Sequence, residues 1–182
     1  MKKSSVICLL LIFSIFDSRN AIAQCNWQTT LVDSFEYQTV CPDIIPGTTV
    51  HNTPQSFAVH SGSLSLYLNF INCVGSTGTC AGDTVYKRHF TVCRNMNVRF
   101  SAWLTTSFNG LQCDMHIVII DGAGNVLDVQ PNVLAPYSPN WIQYTSGSVT
   151  PTTDDVYFVM ITNVGGGGGN DLSMDDFMME TC

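Results

Sequence analysis

Along several short stretches of this chain apolar and polar residues alternate one for one, the period of strands that bury a single face. From Ser63 to Phe70, Leu64, Leu66, Leu68 and Phe70 share one side, with Ser63, Ser65, Tyr67 and Asn69 on the other. From Val98 to Leu104 the inward set is Val98, Phe100, Ala102 and Leu104, which leaves Arg99, Ser101 and Trp103 outward. Residues 115–120, 126–129, 141–145 and 156–162 are further strand candidates, and Asp121-Gly122-Ala123-Gly124-Asn125 predicts a hairpin turn between two of them. Beyond the N-terminal apolar stretch, no window sustains a helical period. Short strands separated by Gly, Pro, Asn and Ser clusters, with only 12% charged residues, predict an all-β antiparallel two-sheet sandwich, a jelly roll.

The N-terminus changes the expected compartment. Met1-Lys2-Lys3 is a basic start, Val6 to Phe16 is apolar but for Ser14, and Ala21-Ile22-Ala23 has the small-x-small form of a signal-peptidase site. Residues 1–23 therefore read as a signal peptide and 24–182 as a single binding domain, secreted or at the cell surface. The apolar stretch is shorter than the roughly 20 residues a membrane helix needs, so no transmembrane span is expected. Gln24 before Cys25 argues against a lipid anchor. Removing residues 1–23 takes away Lys2, Lys3, Arg19 and Asp17, so basic residues fall from 7 to 4 and acidic ones from 14 to 13, and the formal charge becomes 4 − 13 = −9. That balance excludes nucleic acid as a natural partner and suits neutral sugars, cations or a basic protein.

Charge is most informative at the C-terminus, where Asp175 and Asp176 sit inside the short apolar run Leu172 to Met179. In a regular strand one of the two must point to the packed side. A buried carboxylate needs a cation, an arginine or donated hydrogen bonds, and the scarcity of basic residues favours a hard cation such as Ca²⁺. The plain alternative is an exposed strand end with both carboxylates solvated.

Of eight cysteines, seven remain after residue 23: Cys25, Cys41, Cys73, Cys80, Cys93, Cys113 and Cys182. In an oxidising compartment they read as a disulfide set, and Cys73 with Cys80, around a turn-rich loop, is the first expected pair. Because seven is odd, one thiol is left free or joined elsewhere. Gly165 to Gly169 leads into a strand and not a helix, so it lacks the helix N-terminus of a phosphate-binding loop and reads as a mobile surface loop.

Three segments recur in this order in a known superfamily: Ser34-Phe35-Glu36, His60-Ser61-Gly62-Ser63-Leu64-Ser65-Leu66, and Gly169 to Phe177. They resemble the galactose-binding-like jelly rolls, including MAM domains and the calcium-bearing carbohydrate-binding modules of bacterial surface proteins and glycoside hydrolases. The resemblance implies a structural calcium held by Glu36, by backbone carbonyls around Ser61 to Ser63, and by Asp175 or Asp176. By analogy with MAM domains it also implies the pairs Cys25–Cys41 and Cys93–Cys182, with Cys113 left over.

Sugar recognition relies on an exposed aromatic face with polar groups beside it. Trp103, with Arg99 and Ser101 on the same face, is the first candidate; Tyr67 beside Asn69 extends the platform, and Tyr86 and Tyr137, in loop-like stretches, flank it. The plain alternative is that Trp103 packs under a loop and that Trp141, opening a strand after Ser138-Pro139-Asn140, is core. Catalysis has little support. Adjacent carboxylates on one strand cannot flank a glycosidic bond, His51, His60, His89 and His116 have no metal-ligand spacing, and no Gly-x-Ser-x-Gly is present. The expected role is a non-catalytic, calcium-stabilised carbohydrate-binding module; a protein-interaction or adhesion module of a surface protein is the alternative, as is a module serving a separate catalytic chain.

Overall fold

A computed structural model describes residues 26–33, 35, 51–56, 58–75 and 77–182. Residues 1–23, expected to be a signal peptide, and Glu36, Cys25 and Cys41 lie outside the described residues. The strands are β1 (Gln28–Asp33), β2 (His51–Gln55), β3 (Ser65–Asn69), β4 (Thr84–Thr91), β5 (Val98–Thr106), β6 (Asp114–Asp121), β7 (Val126–Leu134), β8 (Ile142–Thr145), β9 (Asp155–Thr162) and β10 (Leu172–Thr181). One sheet runs β2-β3-β10-β5-β8 with β1 also on β10; the other runs β4-β9-β6-β7. All these pairings are antiparallel. The result is the two-sheet jelly-roll sandwich that the alternating pattern predicts.

The inward residues are those the alternation names. Leu66, Leu68 and Phe70, Val98 to Leu104 in steps of two, and Met115, Ile117 and Ile119 are all buried in one core with Val156, Phe158 and Met160. At its centre Phe177 stacks on Phe90 with centroids 5.6 Å apart and meets Phe158 edge-on at 4.9 Å. Such ring pairs add roughly 0.5–1.5 kcal/mol beyond their area burial.

β4 is the strand the pattern conceals, because Lys87-Arg88-His89 reads as polar throughout. Its core-facing line is Tyr86, Arg88 and Phe90, and the Arg88 guanidinium lies over the Phe90 ring at 5.5 Å and the Phe177 ring at 5.7 Å. An apolar stem with its cationic head on aromatic faces lets an arginine occupy a position at the rim of a core. Tyr86 therefore does not flank any surface platform; it is a buried core residue. β7 also runs past the predicted Val129, through Pro131, to Leu134. It is an edge strand, where a missing N–H is tolerated.

The glycine run is a packed junction and not a mobile loop. Gly166 receives the Cys73 N–H and gives its own to Thr79 O, and a Cβ at Gly166 would lie 2.2 Å from Ile71 O. Gly168 accepts the Leu111 N–H at 2.7 Å, and there Gly110 approaches so closely that an added Cβ would sit 1.7 Å from Gly168 O. Side chains are excluded here because two loops meet backbone to backbone.

Cys73 and Cys80 form the expected disulfide, Cα to Cα 5.0 Å. Cys113 is a buried free thiol and Cys93 an exposed one, whereas Cys182 is disulfide-bonded. The Cys93–Cys182 pairing implied by the MAM resemblance is therefore not formed. Burial, with Asp114 and Asp171 adding to it, pushes the Cys113 thiol far above its usual range, which leaves it unreactive.

Candidate functional site

The outer face of the six-stranded sheet carries the candidate residues, and β10 organises it. β10 pairs with β5 on one side over nearly its whole length. On the other it pairs with β3 only through Leu172–Met174 and with β1 only through Phe177–Thr181. Asp175 and Asp176 fall in the gap between those two partners. There the β10–β5 register also slips: Asp175 faces Trp103 while Met178 faces Ser101, so β10 has one residue too many. This is a β-bulge, and Asp176 adopts φ +47°, a left-handed conformation in which a non-glycine residue is strained.

The bulge defeats the strict alternation expected of this segment. Met174 and Phe177 point into the core, yet both intervening carboxylates reach one loop on the outer side, the turn that enters β3. Asp175 is fully buried beneath that loop. Its Oδ2 accepts the His60 N–H at 2.9 Å and the Ser61 N–H at 3.1 Å, and its Oδ1 accepts the Asp176 N–H at 2.8 Å. Asp176 accepts Ser61 Oγ–H on Oδ1 at 2.7 Å and lies 2.8 Å from His60 Nδ1 through Oδ2. Burial raises the Asp175 carboxyl above the usual range, the three N–H donors work against that rise, and the Asp176 charge adds to it.

Of the three ways to satisfy a buried carboxylate, Asp175 thus uses donated hydrogen bonds. Ser61 offers the carboxylates its N–H and hydroxyl hydrogen, where the calcium expectation drew on backbone carbonyls. Among the described residues no group of three or more His, Cys, Asp or Glu converges as a metal site.

Trp103 stands outward on β5 between Asp175 of β10 and Gln143 of β8. The His60 imidazole stacks on the indole at 4.0 Å between centroids and 15° between planes, and Trp141 meets the same imidazole edge-on at 5.6 Å. Trp141 is therefore half-buried on this outer face and is not part of the core. Loop residues frame the site further. Thr105 Oγ donates to the carbonyls of Pro136 and Asn140, at 3.0 and 2.7 Å, which holds the segment before Trp141 against β5.

The other candidates are oriented as expected but differ in availability. Tyr67 is outward yet buried; its hydroxyl donates to Asp171 Oδ2 at 2.8 Å, and burial with that hydrogen bond raises the phenol well above its usual range. Asn69, at the end of β3, is half-buried. Arg99 is engaged: Nε donates to Glu180 at 2.6 Å, and the guanidinium covers Trp27 at 4.4 Å. Ser101 is buried, and its Oγ has no hydrogen-bond partner among the described residues. Tyr137 uses its hydroxyl to close the loop at Gly110 O, 2.7 Å.

Two contributors escaped the sequence reading. His60 entered it only inside a motif, and its place over Trp103 depends on the bulge. Phe108, just past β5, is 47% exposed and meets Tyr67 edge-on at 6.3 Å; an aromatic in Ser107-Phe108-Asn109-Gly110, directly after a strand whose outward residue is Trp103, was the available signal. A hydrolytic reading gains nothing here. Ser61 Oγ and His60 Nδ1 both bond to Asp176 and not to each other, so the imidazole is not placed to take the serine proton.

No family model matches this sequence, and no curated protein matches it. Solved structures do. The CBM22-1 xylan-binding domain of Paenibacillus barcinonensis Xyn10C superposes with a TM-score of 0.60 at 13% identity, covering 85% of this chain and 94% of that one. The C-terminal family 22 carbohydrate-binding module of Clostridium thermocellum Xyn10B gives 0.56 at 13% identity, covering 83% and 91%. TmCBM61, solved in complex with β-1,4-galactotriose, gives 0.50 at 12% identity, covering 84% and 86%. The chain has their jelly-roll fold. At such identities the likeness establishes architecture, and what binds must be argued from the residues.

Proposed function

We propose that this chain is a non-catalytic carbohydrate-binding module that takes a neutral polysaccharide on the outer face of its six-stranded sheet, with Trp103 as the stacking residue. The observation that carries the reading is the Trp103 indole on that face, already holding a flat ring in parallel contact at 4.0 Å. A pyranose presents a C–H-rich face of similar size to such a surface, and Gln143, opposite Trp103 on β8, supplies a polar group beside it. Structural neighbours described as xylan-binding and galactotriose-bound support the substrate class. Neutral chains are favoured over uronic-acid-rich ones because the protein is strongly acidic, with a formal charge of −7 over the whole sequence. The reading includes export through residues 1–23, which would bring the protein to polysaccharide outside the cell.

Calcium belongs to the proposal on the family resemblance and on the two adjacent carboxylates. Glu36, backbone carbonyls around Ser61 to Ser63, and Asp175 or Asp176 would hold it, and the ion would supply positive charge beside two adjacent carboxylates. Depletion assays on insoluble xylan, β-1,4-galactan and a polyuronate test the function. Retention on at least one neutral polymer and passage over the polyuronate is the expected result; passage over all three contradicts the reading.

A further inference from the structure

The His60 imidazole is held apart from the loop that carries it. The backbone N–H groups of His60 and Ser61 are anchored on Asp175, whereas the ring is held by Asp176 and by the stack on Trp103. Rotating the side chain would break one hydrogen bond and two ring contacts and leave the backbone anchors of the loop in place. We propose that His60 is a displaceable cap on Trp103, and that the sugar ring bound there takes the position of the imidazole. The inference rests on the carbohydrate-binding reading above and adds to it which surface is hidden before the ligand arrives.

Three features support the assignment. The imidazole lies nearly parallel over the indole, the arrangement a stacked pyranose would adopt, so the two compete for one surface. It also meets Trp141 at a steep angle with centroids 5.6 Å apart, so its departure uncovers ring surface on both indoles. Finally, the left-handed φ of Asp176 at the bulge is the kind of local strain that collects at functional sites, and here it brings into reach of Nδ1 the carboxylate that retains the ring. His60 itself sits in an exposed run with Ser61, Gly62 and Ser63, so the displaced ring can move into solvent.

A capped site binds with its intrinsic affinity reduced by the fraction of molecules that are open. Removing the cap should therefore tighten binding, the opposite of what removing a ligand contact does. The test is calorimetric titration of xylohexaose and β-1,4-galactotriose into wild type, His60→Ala and Trp103→Ala. The expected result is binding roughly three- to tenfold tighter in His60→Ala and lost in Trp103→Ala. Weaker or unchanged binding in His60→Ala, with Trp103→Ala still inactive, overturns the cap and leaves the carbohydrate site standing. Full binding by Trp103→Ala, or none by either wild type or His60→Ala, removes the site and the cap together. If His60→Ala does not fold, the His60 ring resonances of wild type decide: saturating ligand should shift them to the positions of a solvent-exposed imidazole, and resonances that do not move contradict displacement.

Discussion

Asp121 and Asp175 are both buried aspartates at strand irregularities, and their surroundings treat the charge in opposite ways. Asp121 closes the hairpin between β6 and β7. Its oxygens accept the N–H groups of Ala123 and Asn125, the Asn125 side-chain amide and the Thr152 hydroxyl. Those donors, the Asn125 side chain foremost, hold its carboxyl below the usual range. Asp175 receives three N–H groups, two of them from a loop more than a hundred residues earlier in the chain, and sits beside a second carboxylate. Burial leaves it above the usual range. A turn aspartate with its own donors is scaffolding. One whose charge is costly, yet which tethers the loop over Trp103, has its position explained by the site.

The largest effect expected from breaking this contrast is at Asp175. Asn in its place keeps the shape but turns an amide NH₂ toward N–H donors, and a buried donor left without an acceptor costs about 1–3 kcal/mol. Asp175→Asn should lower the urea midpoint accordingly and also change glycan affinity by freeing the loop. Asp121→Asn should lower the midpoint and leave affinity untouched; equal effects on binding would erase the distinction. The Cys73–Cys80 disulfide is a local staple like the Asp121 turn. Replacing both cysteines by serine should cost about 2.5 kcal/mol, the chain-entropy expectation for so short a loop, again with affinity unchanged.

pH separates the two aspartates by sign. A carboxyl raised in the folded state favours folding in its protonated form, so the Asp175 contribution declines as pH rises from the usual carboxylate value through its raised one. Asp121 behaves in reverse: its contribution is present above the usual value and is lost as pH falls through its lowered one. Stability measured across acidic pH should gain in Asp175→Asn, relative to wild type, as pH rises, and Asp121→Asn should flatten the acid limb. Parallel pH profiles for the two variants would contradict the assignments. Calcium offers a further refinement. If it binds only the folded chain, a hundredfold excess over Kd adds about 2.7 kcal/mol, which EDTA removes; no shift in melting temperature would take calcium out of the account. The smallest effect is expected for Asp176→Asn, about 0.5 kcal/mol, because both its partners lie at the surface.

How far the sequence anticipated all this follows from range. Alternation over β3 and β5 is local, so Leu66, Phe100 and the outward Trp103 were legible without a partner strand. The Asp121 turn and the Cys73–Cys80 loop were legible for the same reason. β4 was hidden because Arg88 occupies a core-facing position, with its guanidinium over the rings of Phe90 and Phe177. Gly165 to Gly169 looked mobile because the backbones that exclude side chains there come from other loops. The bulge at Asp175 and Asp176 breaks the period-two rule on which the carboxylate argument rested, and so neither the shared loop nor His60 over Trp103 could be read from spacing.

The measurement that tests the central claim most directly is the affinity of wild type and Trp103→Ala for a neutral β-1,4-linked oligosaccharide, with the fold of each verified by its melting transition. The account predicts a normally folded Trp103→Ala protein that no longer binds the sugar. A folded Trp103→Ala protein with wild-type affinity would contradict it, and would move the site off the outer face of the six-stranded sheet.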